Sequence, residues 1–252
     1  MIKDLLRRML AKAGYTVVNR RWFYAADGLF TVHNDHFRHG AKFREAYRRG
    51  IQAADGADPD LEWRLHVALW AASAALRVPG DFVECGVNKG FISSAILQRL
   101  DWSRIPRHFY LIDTFSGPIL SQFSEGEVGR GRRRVAEDAI ARGAYETDVE
   151  RVRANFSEWP NALVVQGGIP EILPAVQVSR VAFLHLDMNC ALPERAALEH
   201  FWPKLSPGGF VLLDDYAYRE FEAQMESMDE LAGVLGFEIL SLPTGQGLII
   251  KG

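Results

Sequence analysis

Residues 81–90 read DFVECGVNKG, an apolar run that ends in a loop with two glycines. The run Asp81–Cys85 has the near-continuous hydrophobicity of a parallel strand that is buried on both faces. A helical pattern from about Phe91 to Leu100 follows directly, which predicts a strand, a tight turn and a helix start. Glycines in such a turn let the backbone approach a ligand, and the helix N-terminus offers free N–H groups.

Further apolar runs on the C-terminal side of this stretch extend it into an α/β pattern. Helical patterns separate most of them, which predicts a doubly wound parallel sheet. The last two runs lie only a few residues apart, too close for a crossover helix, so they predict an antiparallel hairpin. The fold class is therefore α/β, a Rossmann-like, mostly parallel seven-stranded sheet that ends in an antiparallel hairpin. The runs after the first are Phe109–Ile112, Ala162–Val165, Val181–Leu186, Phe210–Leu213, Phe237–Leu242 and Gly247–Ile250.

The N-terminal part of the chain lacks this alternation. We divide the chain into an N-terminal helical extension or lid, residues 1–58, and an α/β domain, residues 59–252. Asp58 and Pro59 predict the start of the first helix of that domain. An apolar face at helical spacing near the N-terminus predicts packing on the domain or on a second subunit, hence a homo-oligomer; it comprises Leu5, Leu6, Met9, Leu10 and Ala13.

The connection between the second and third strands is too long for a simple crossover. It contains SEGEVGRGRRR, a charged, glycine-rich stretch without apolar periodicity, which predicts a lid or a surface insertion. A capping box from Thr147 to Glu150 predicts a short helix later in this connection.

Composition excludes several classes of protein. The 252 residues carry a net charge of −3, so nothing indicates a nucleic-acid partner. No apolar stretch is long enough to predict stable membrane insertion, and the residues from Met1 to Tyr15 lack the pattern expected of a secretory signal. The two cysteines, Cys85 and Cys190, lie far apart and fit a reducing compartment, so we expect a cytoplasmic protein.

The loop chemistry distinguishes among nucleotide-like ligands. The pattern E-x-G-x-x-x-G lacks the central glycine that admits a pyrophosphate in dinucleotide folds. A ligand with a carboxylate and no phosphates suits it better, as in S-adenosyl-L-methionine. Asp113, at the end of the second strand, is placed to accept both ribose hydroxyls. The predicted cofactor-binding residues are Glu84, Cys85, Gly86, Val87, Gly90, Ser93, Asp113, Thr114, Phe115, Gly167, Gly168, Ile169 and Asp187.

Three carboxylates end the fourth and fifth strands: Asp187, Asp214 and Asp215. Because parallel strands deliver their carboxyl ends to one rim, these groups repel each other unless a cation or protons neutralise them. Oxygen ligands of this kind suit Mg²⁺, which would lower the pKa of a substrate hydroxyl. In the alternative, Asp187 contacts the ligand while the Asp pair only caps loops.

Four segments resemble the macrocin O-methyltransferase family: FVECGVNKG, FYLIDTFSG, LHLDMN and FWPKLSPGGFVLLDDY. The resemblance covers roughly residues 60–250. It implies a Rossmann-like methyltransferase with a magnesium ion and a sugar hydroxyl as substrate. Asp187, Asp214 and Asp215 would be the metal ligands, and Asp187, the nearest to the reacting hydroxyl, would help to accept its proton.

This chain departs from the family pattern after Asp187. The family has a second Asp two positions later, then a Tyr and a Ser/Thr-Thr pair, where this chain has Asn189, Ala191 and Leu192-Pro193. His36, in the N-terminal extension, is a further candidate for a general base, because imidazole titrates near neutrality. Two other functions stay open: an NAD-dependent oxidoreductase, and a cofactor-binding module without activity.

Overall fold

A computed structural model describes residues 8–15 and 23–252 of the chain. Its centre is a seven-stranded sheet with the order β5–β4–β3–β6–β7–β9–β8. Within this sheet β3 to β7 are parallel, and β9 pairs antiparallel with β7 and β8. The strands are β3 (Asp81–Cys85), β4 (Phe109–Asp113), β5 (Ala162–Gln166), β6 (Val181–Leu186), β7 (Leu205–Leu213), β8 (Leu240–Ser241) and β9 (Gly247–Ile250). The predicted fold class is confirmed.

Helices cover both faces of this sheet. Neighbouring residues of a strand enter opposite layers, as the twofold repeat of a strand requires: Phe82 packs into one apolar cluster and Val83 into the other. The helices are α1 (Ala41–Ala53), α2 (Glu62–Ala75), α3 (Phe91–Leu100), α4 (Glu125–Gly129), α5 (Arg132–Ala141), α6 (Val149–Asn155), α7 (Ala191–Phe201) and α8 (Glu222–Leu235). Helices α1, α2 and α3 pack on the Phe82 side, and α7 and α8 on the Val83 side. In the described parts of the chain no helix is long and apolar enough to cross a membrane.

The N-terminal extension is not purely helical. A hairpin of β1 (Tyr24–Ala26) and β2 (Leu29–Thr31) precedes α1, and the sequence pattern did not indicate it. Helix α1 packs against α3 of the α/β domain. Residues 8–12 are helical as expected, but Leu5 and Leu6 of the predicted apolar face lie outside the described residues.

Two predicted helix caps were wrong, and one stretch without apolar periodicity is helical. The charged stretch after Phe123 is helical: Ser124 and Glu127 form a capping box that starts α4, and α5 follows. Asp148, not Thr147, caps α6 by accepting from the backbone N–H groups of Glu150 and Arg151. Asp58 accepts from Tyr47 instead of capping a helix, and α2 begins at Glu62. Both cap errors follow from competing polar side chains that suit a cap equally well in sequence.

Candidate functional site

The carboxyl ends of β3, β4, β5 and β6 surround one cavity of about 110 Å³. This is the edge at which open α/β sheets bind ligands. Apolar and polar side chains share its wall, as in most small-molecule sites. The lining residues are Gly86, Asn88, Ile112, Asp113, Thr114, Gly117, Pro118, Ile119, Gln122, Tyr145, Gly167, Ile169, Asp187, Met188, Asn189, Cys190 and Pro193.

Gly86 makes the floor of the cavity possible. A Cβ atom at this position would lie 1.8 Å from the backbone oxygen of Asp187, and the φ of Gly86 is +91°. Backbone atoms cannot move aside as a flexible side chain can, so only glycine fits where the ends of β3 and β6 meet. The glycine thus brings the turn after β3 against Asp187, as a loop that cradles a ligand requires.

Asp113 organises this turn. Its Oδ2 accepts hydrogen bonds from the backbone N–H groups of Val87 at 2.7 Å and Asn88 at 2.8 Å. Its Oδ1 accepts from the N–H of Phe115 at 2.7 Å. The carboxylate therefore caps two loops and also lines the cavity.

The structure places six of the predicted cofactor-binding residues on the cavity wall: Gly86, Asp113, Thr114, Gly167, Ile169 and Asp187. The others lie behind it. Glu84, Cys85, Val87, Ser93 and Phe115 are buried, Gly90 packs against Phe156, and Gly168 packs against Ile119. A strand-end motif covers both sides of a strand, whereas only one side faces a ligand, so these seven residues support the wall instead of forming it.

The connection between β4 and β5, predicted as a lid or a surface insertion, supplies the outer wall of the cavity, although its lining residues were not predicted. Tyr145 and Gln122 come from this connection, and Gln122 Nε2 donates to the backbone oxygen of Ile169 at 2.6 Å. That bond ties the connection to the strand β5 side of the cavity. No sequence pattern marked these residues, because their position depends on how a long connection folds back.

Asp187, Asp214 and Asp215 lie together at one rim, here named the carboxylate rim. Strands β6 and β7 pair with Leu186 opposite Leu213, and the N–H of Asp214 donates to the backbone oxygen of Leu186 at 2.9 Å. Desolvation and the charges of Asp214 and Asp215 raise the pKa of Asp187 well above its usual range. The predicted convergence of three carboxylates therefore exists.

A side chain of the protein contacts the rim where a metal ion was predicted. Arg64, on α2, donates from Nη1 to Asp214 Oδ2 at 2.6 Å, and the same atom lies 3.4 Å from Asp215 Oδ1. Gln246 Nε2 donates to the other oxygen of Asp214 at 2.8 Å. Both Asp214 oxygens thus have donors. Within residues 8–15 and 23–252, no three His, Cys, Asp or Glu side chains are grouped to hold a metal ion. The residues as arranged do not fit Mg²⁺.

A second charged pair lies beneath the rim. His185 Nδ1 is 2.8 Å from Glu84 Oε1, and His185 Nε2 is 3.5 Å from Asp214 Oδ1. Burial alone would lower the pKa of His185, but the carboxylates of Asp214 and Glu84 raise it to about 10. His185 is therefore a buried cation that neutralises part of the charge of Glu84 and Asp214.

The two remaining candidates differ in position. Asn189 lines the cavity, and its Nδ2 donates to Asp187 Oδ1 at 3.2 Å. His36 is exposed, its ring pairs with Asn34 at 3.3 Å, and it does not line the cavity. The structure does not bring His36 together with Asp187, and a general base at His36 stays an unsupported prediction.

Solved structures share the fold. The O-methyltransferase NovP aligns with a TM-score of 0.64 at 22% identity, over 82% of this chain and 90% of NovP. The calicheamicin methyltransferase CalS11 aligns with a TM-score of 0.56 at 18% identity, over 94% of this chain and 98% of CalS11. At these identities the likeness establishes the architecture alone.

Sequence relatives come from natural-product biosynthesis. The 8-demethyl-8-(2,3-dimethoxy-alpha-L-rhamnosyl)-tetracenomycin-C 4'-O-methyltransferase of Streptomyces olivaceus is 32% identical over 148 residues, 56% of this chain and 54% of that enzyme. The mycinamicin III 3''-O-methyltransferase of Micromonospora griseorubida is 28% identical over 163 residues, 61% of this chain and 62% of that enzyme. The matches thus span little more than half of each relative.

The family assignment rests on a longer match. Residues 64–233, which include the turn after β3 and the carboxylate rim, match the model of the family described as Macrocin-O-methyltransferase (TylF). This segment is more than half of the chain. The chain therefore belongs to the macrocin O-methyltransferase family.

Proposed function

We propose that this protein is an S-adenosyl-L-methionine-dependent O-methyltransferase whose acceptor is a hydroxyl of a sugar or of a glycosylated natural product. The observation that carries the proposal is the cavity that extends from Asp113 to Asp187 at the carboxyl edge of the sheet. Membership of the family and the sugar-methylating relatives support the reaction class and the acceptor class.

The wall of this cavity suits the methyl donor. Gly86 supplies a cradle that a Cβ atom would fill, and both polar and apolar residues line the cavity beside it. The residues that would hold the donor are Gly86, Asn88, Asp113, Gly117, Ile119, Gln122 and Ile169. When bound, S-adenosyl-L-methionine supplies a methyl group on a positively charged sulfur, which is open to attack by an oxygen nucleophile.

Asp187 is the carboxyl group that both lines this cavity and belongs to the carboxylate rim. We assign it the proton that the acceptor hydroxyl loses as its oxygen attacks the methyl group. Asn189 donates to Oδ1 of Asp187, which fixes the carboxyl plane and leaves Oδ2 for the hydroxyl. Holding both groups in one site removes much of the entropic barrier to the reaction.

Magnesium stays outside this proposal. The family resemblance implies it, but the hydrogen bonds of Arg64 and Gln246 to Asp214 argue for another source of positive charge. A cytoplasmic location and a homo-oligomer remain predictions from the sequence.

A methyl-transfer assay tests the proposed function. The protein is incubated with S-adenosyl-L-methionine labelled in the methyl group and with a panel of sugars, nucleotide sugars and glycosylated macrolides. Label in a sugar hydroxyl of at least one acceptor is expected. Transfer to none of these acceptors, or to an amine or carboxylate instead, would contradict the proposal.

A variant pair assigns the proton acceptor. Asp187→Asn should lose at least about a hundredfold in kcat while still binding S-adenosylhomocysteine, because a general base contributes that much or more. Asp138→Asn, at an exposed position on α5, is the matched control and should retain activity. An Asp187→Asn protein with full kcat would remove Asp187 from this role.

A further inference from the structure

The positive charge at the carboxylate rim comes from the chain itself. Arg64 is 14% exposed, and its three carboxylate partners, Asp27, Asp214 and Asp215, are 10% or less exposed. Buried carboxylates this close together require a cation or protons. We propose that Arg64 is the permanent cation of this rim and occupies the role that a divalent metal ion would otherwise have.

Both carboxylate oxygens of Asp214 accept hydrogen bonds from the protein. A hard divalent cation binds carboxylate oxygens that are free to coordinate it. Oδ2 of Asp214 accepts from Arg64 at 2.6 Å and Oδ1 accepts from Gln246 at 2.8 Å. A metal ion that coordinated Asp214 would have to share its oxygens with these two donors and lie next to the positive charge of Arg64.

Arg64 is also held from the side opposite Asp214, by Asp27. Its Nε donates to Asp27 Oδ2 at 2.6 Å and its Nη2 donates to Asp27 Oδ1 at 2.5 Å. This paired arrangement uses the planar fork of the guanidinium fully. The guanidinium carbon also lies 5.4 Å from the centre of the Tyr218 ring. These contacts hold the guanidinium of Arg64 at the rim independently of its hydrogen bond to Asp214.

The ion pairs of Arg64 connect two parts of the fold and order the carboxylate rim. Asp27 lies in the turn between β1 and β2. Arg64 therefore links the N-terminal hairpin to Asp214, which directly follows the carboxyl end of β7. Arg64 also fixes Asp214 and Asp215 beside Asp187, and its charge is independent of pH and of metal supply. Arg64 is thus a positioning residue that orders the rim and covers it with the hairpin.

The departure after Asp187 agrees with this assignment. Asn189 is an amide where the family has a carboxylate, so this chain has one acidic ligand fewer near the rim. The Nδ2 group of Asn189 donates to Asp187, which gives a third rim carboxylate a donor from the protein. Each of these contacts lowers the need for a metal ion.

Metal binding by the protein alone tests the inference, and it does not depend on methyl transfer. Mn²⁺, which replaces Mg²⁺ at oxygen sites, is titrated into the wild type and two variants, and its free fraction is followed by electron paramagnetic resonance. The wild type should bind no Mn²⁺ at the rim at millimolar concentration. Arg64→Gln should bind Mn²⁺ at least about tenfold more tightly than the wild type does, because the substitution leaves the charges of Asp214 and Asp27 uncompensated.

A matched control removes an arginine that also joins two carboxylates. Arg38 contacts Asp35 and Glu62, so Arg38→Gln frees carboxylates elsewhere and should gain no comparable site. Adding Asp214→Asn to Arg64→Gln should abolish the gained site.

Two results would overturn the inference. One is Mn²⁺ binding by the wild type that Asp214→Asn removes, and the other is a folded Arg64→Gln protein that gains no site. If Arg64→Gln does not fold, the wild-type titration decides alone, with Asp214→Asn to locate any bound metal ion.

Discussion

Nδ1 of His185 lies 2.8 Å from Oε1 of Glu84, and the two side chains are 0% and 2% exposed. They face each other across the pairing of β3 and β6, beneath the carboxylate rim. The contact thereby joins β3, which precedes the Gly86 turn, to β6, which Asp187 follows. The contact explains why an acidic residue can lie inside an otherwise apolar strand, since the charge is paired.

Loss of one partner should destabilise the fold strongly. In Glu84→Ala, the His185 cation loses its 2.8 Å partner in the core. We expect the free energy of unfolding to fall by about 3–5 kcal/mol in urea denaturation, as for other broken buried ion pairs. The exposed Glu171→Ala variant is the control and should change stability by less than about 0.5 kcal/mol. A Glu84→Ala protein as stable as the wild type would show that the pair does not stabilise the fold.

Gly86→Ala should damage the site and the fold together. The added Cβ atom would lie 1.8 Å from the backbone oxygen of Asp187, so the ends of β3 and β6 must separate. We expect a loss of at least about 2 kcal/mol in stability together with a loss of S-adenosylhomocysteine binding by titration calorimetry. Gly129→Ala, where a Cβ atom meets nothing within 4 Å, is the control and should be neutral or stabilising. Normal binding by Gly86→Ala would refute the close approach.

Stability should depend on pH through Glu194. Burial raises the pKa of this side chain to about 8, from an ordinary value of 4.5. The folded state therefore binds a proton that the unfolded state has lost, so this group's contribution favours folding below about pH 4.5 and declines as pH rises to about 8. Glu194→Gln should raise the melting temperature at pH 8 relative to the wild type but change it little at pH 4.5.

The control for this effect is Glu199→Gln on the same helix, at an exposed position paired with Arg195. It should shift the melting temperature by a similar small amount at both pH values. If Glu194→Gln behaves in the same way, Glu194 does not carry the pH dependence.

The side chain of Arg132 should contribute to the binding of the acceptor substrate and not to the binding of S-adenosyl-L-methionine. Its guanidinium lies 3.5 Å from the centre of the Phe221 ring, and its Nε is buried without a hydrogen-bond partner among the described residues. Burial raises the pKa of both Asp215 and Tyr145, and the nearby charge of Arg132 opposes that rise. Arg132→Met should raise the KM for the acceptor about tenfold, as expected for one lost charge-assisted hydrogen bond, with donor affinity unchanged. Arg133→Met, exposed on the same helix, is the control, and equal KM values in the two variants would contradict the assignment.

The sequence predicted the sheet more fully than the site, for a physical reason. Asp81–Cys85 and Val181–Leu186 were predicted with their observed bounds, because strands buried on both faces consist almost entirely of apolar residues. The convergence of Asp187 with Asp214 follows from parallel strands that end at one edge. These features depend on local pattern and on topology, both of which sequence reasoning can use.

The contacts that depend on distant segments were not predictable in this way. Arg64 contacts Asp214, which is 150 positions away in the sequence, and Asp27, which is 37 positions away. In the sequence alone, a single arginine in a helix is interpreted as a solvent-exposed charge. Tyr145 reaches the cavity from a connection whose capping signals were misassigned. The predicted metal ligands are present, but nothing in their spacing indicates that an arginine from α2 contacts them.

The central claim is that the cavity at the end of β3 binds the methyl donor, and titration calorimetry with S-adenosylhomocysteine tests it most directly. The wild type should bind S-adenosylhomocysteine and not NAD, since the turn lacks the glycine that admits a pyrophosphate. Asp113→Ala, which removes the acceptor of the Val87 and Asn88 N–H groups, should weaken this binding at least about tenfold. Binding of NAD alone, or of neither ligand by a folded wild type, would contradict the account.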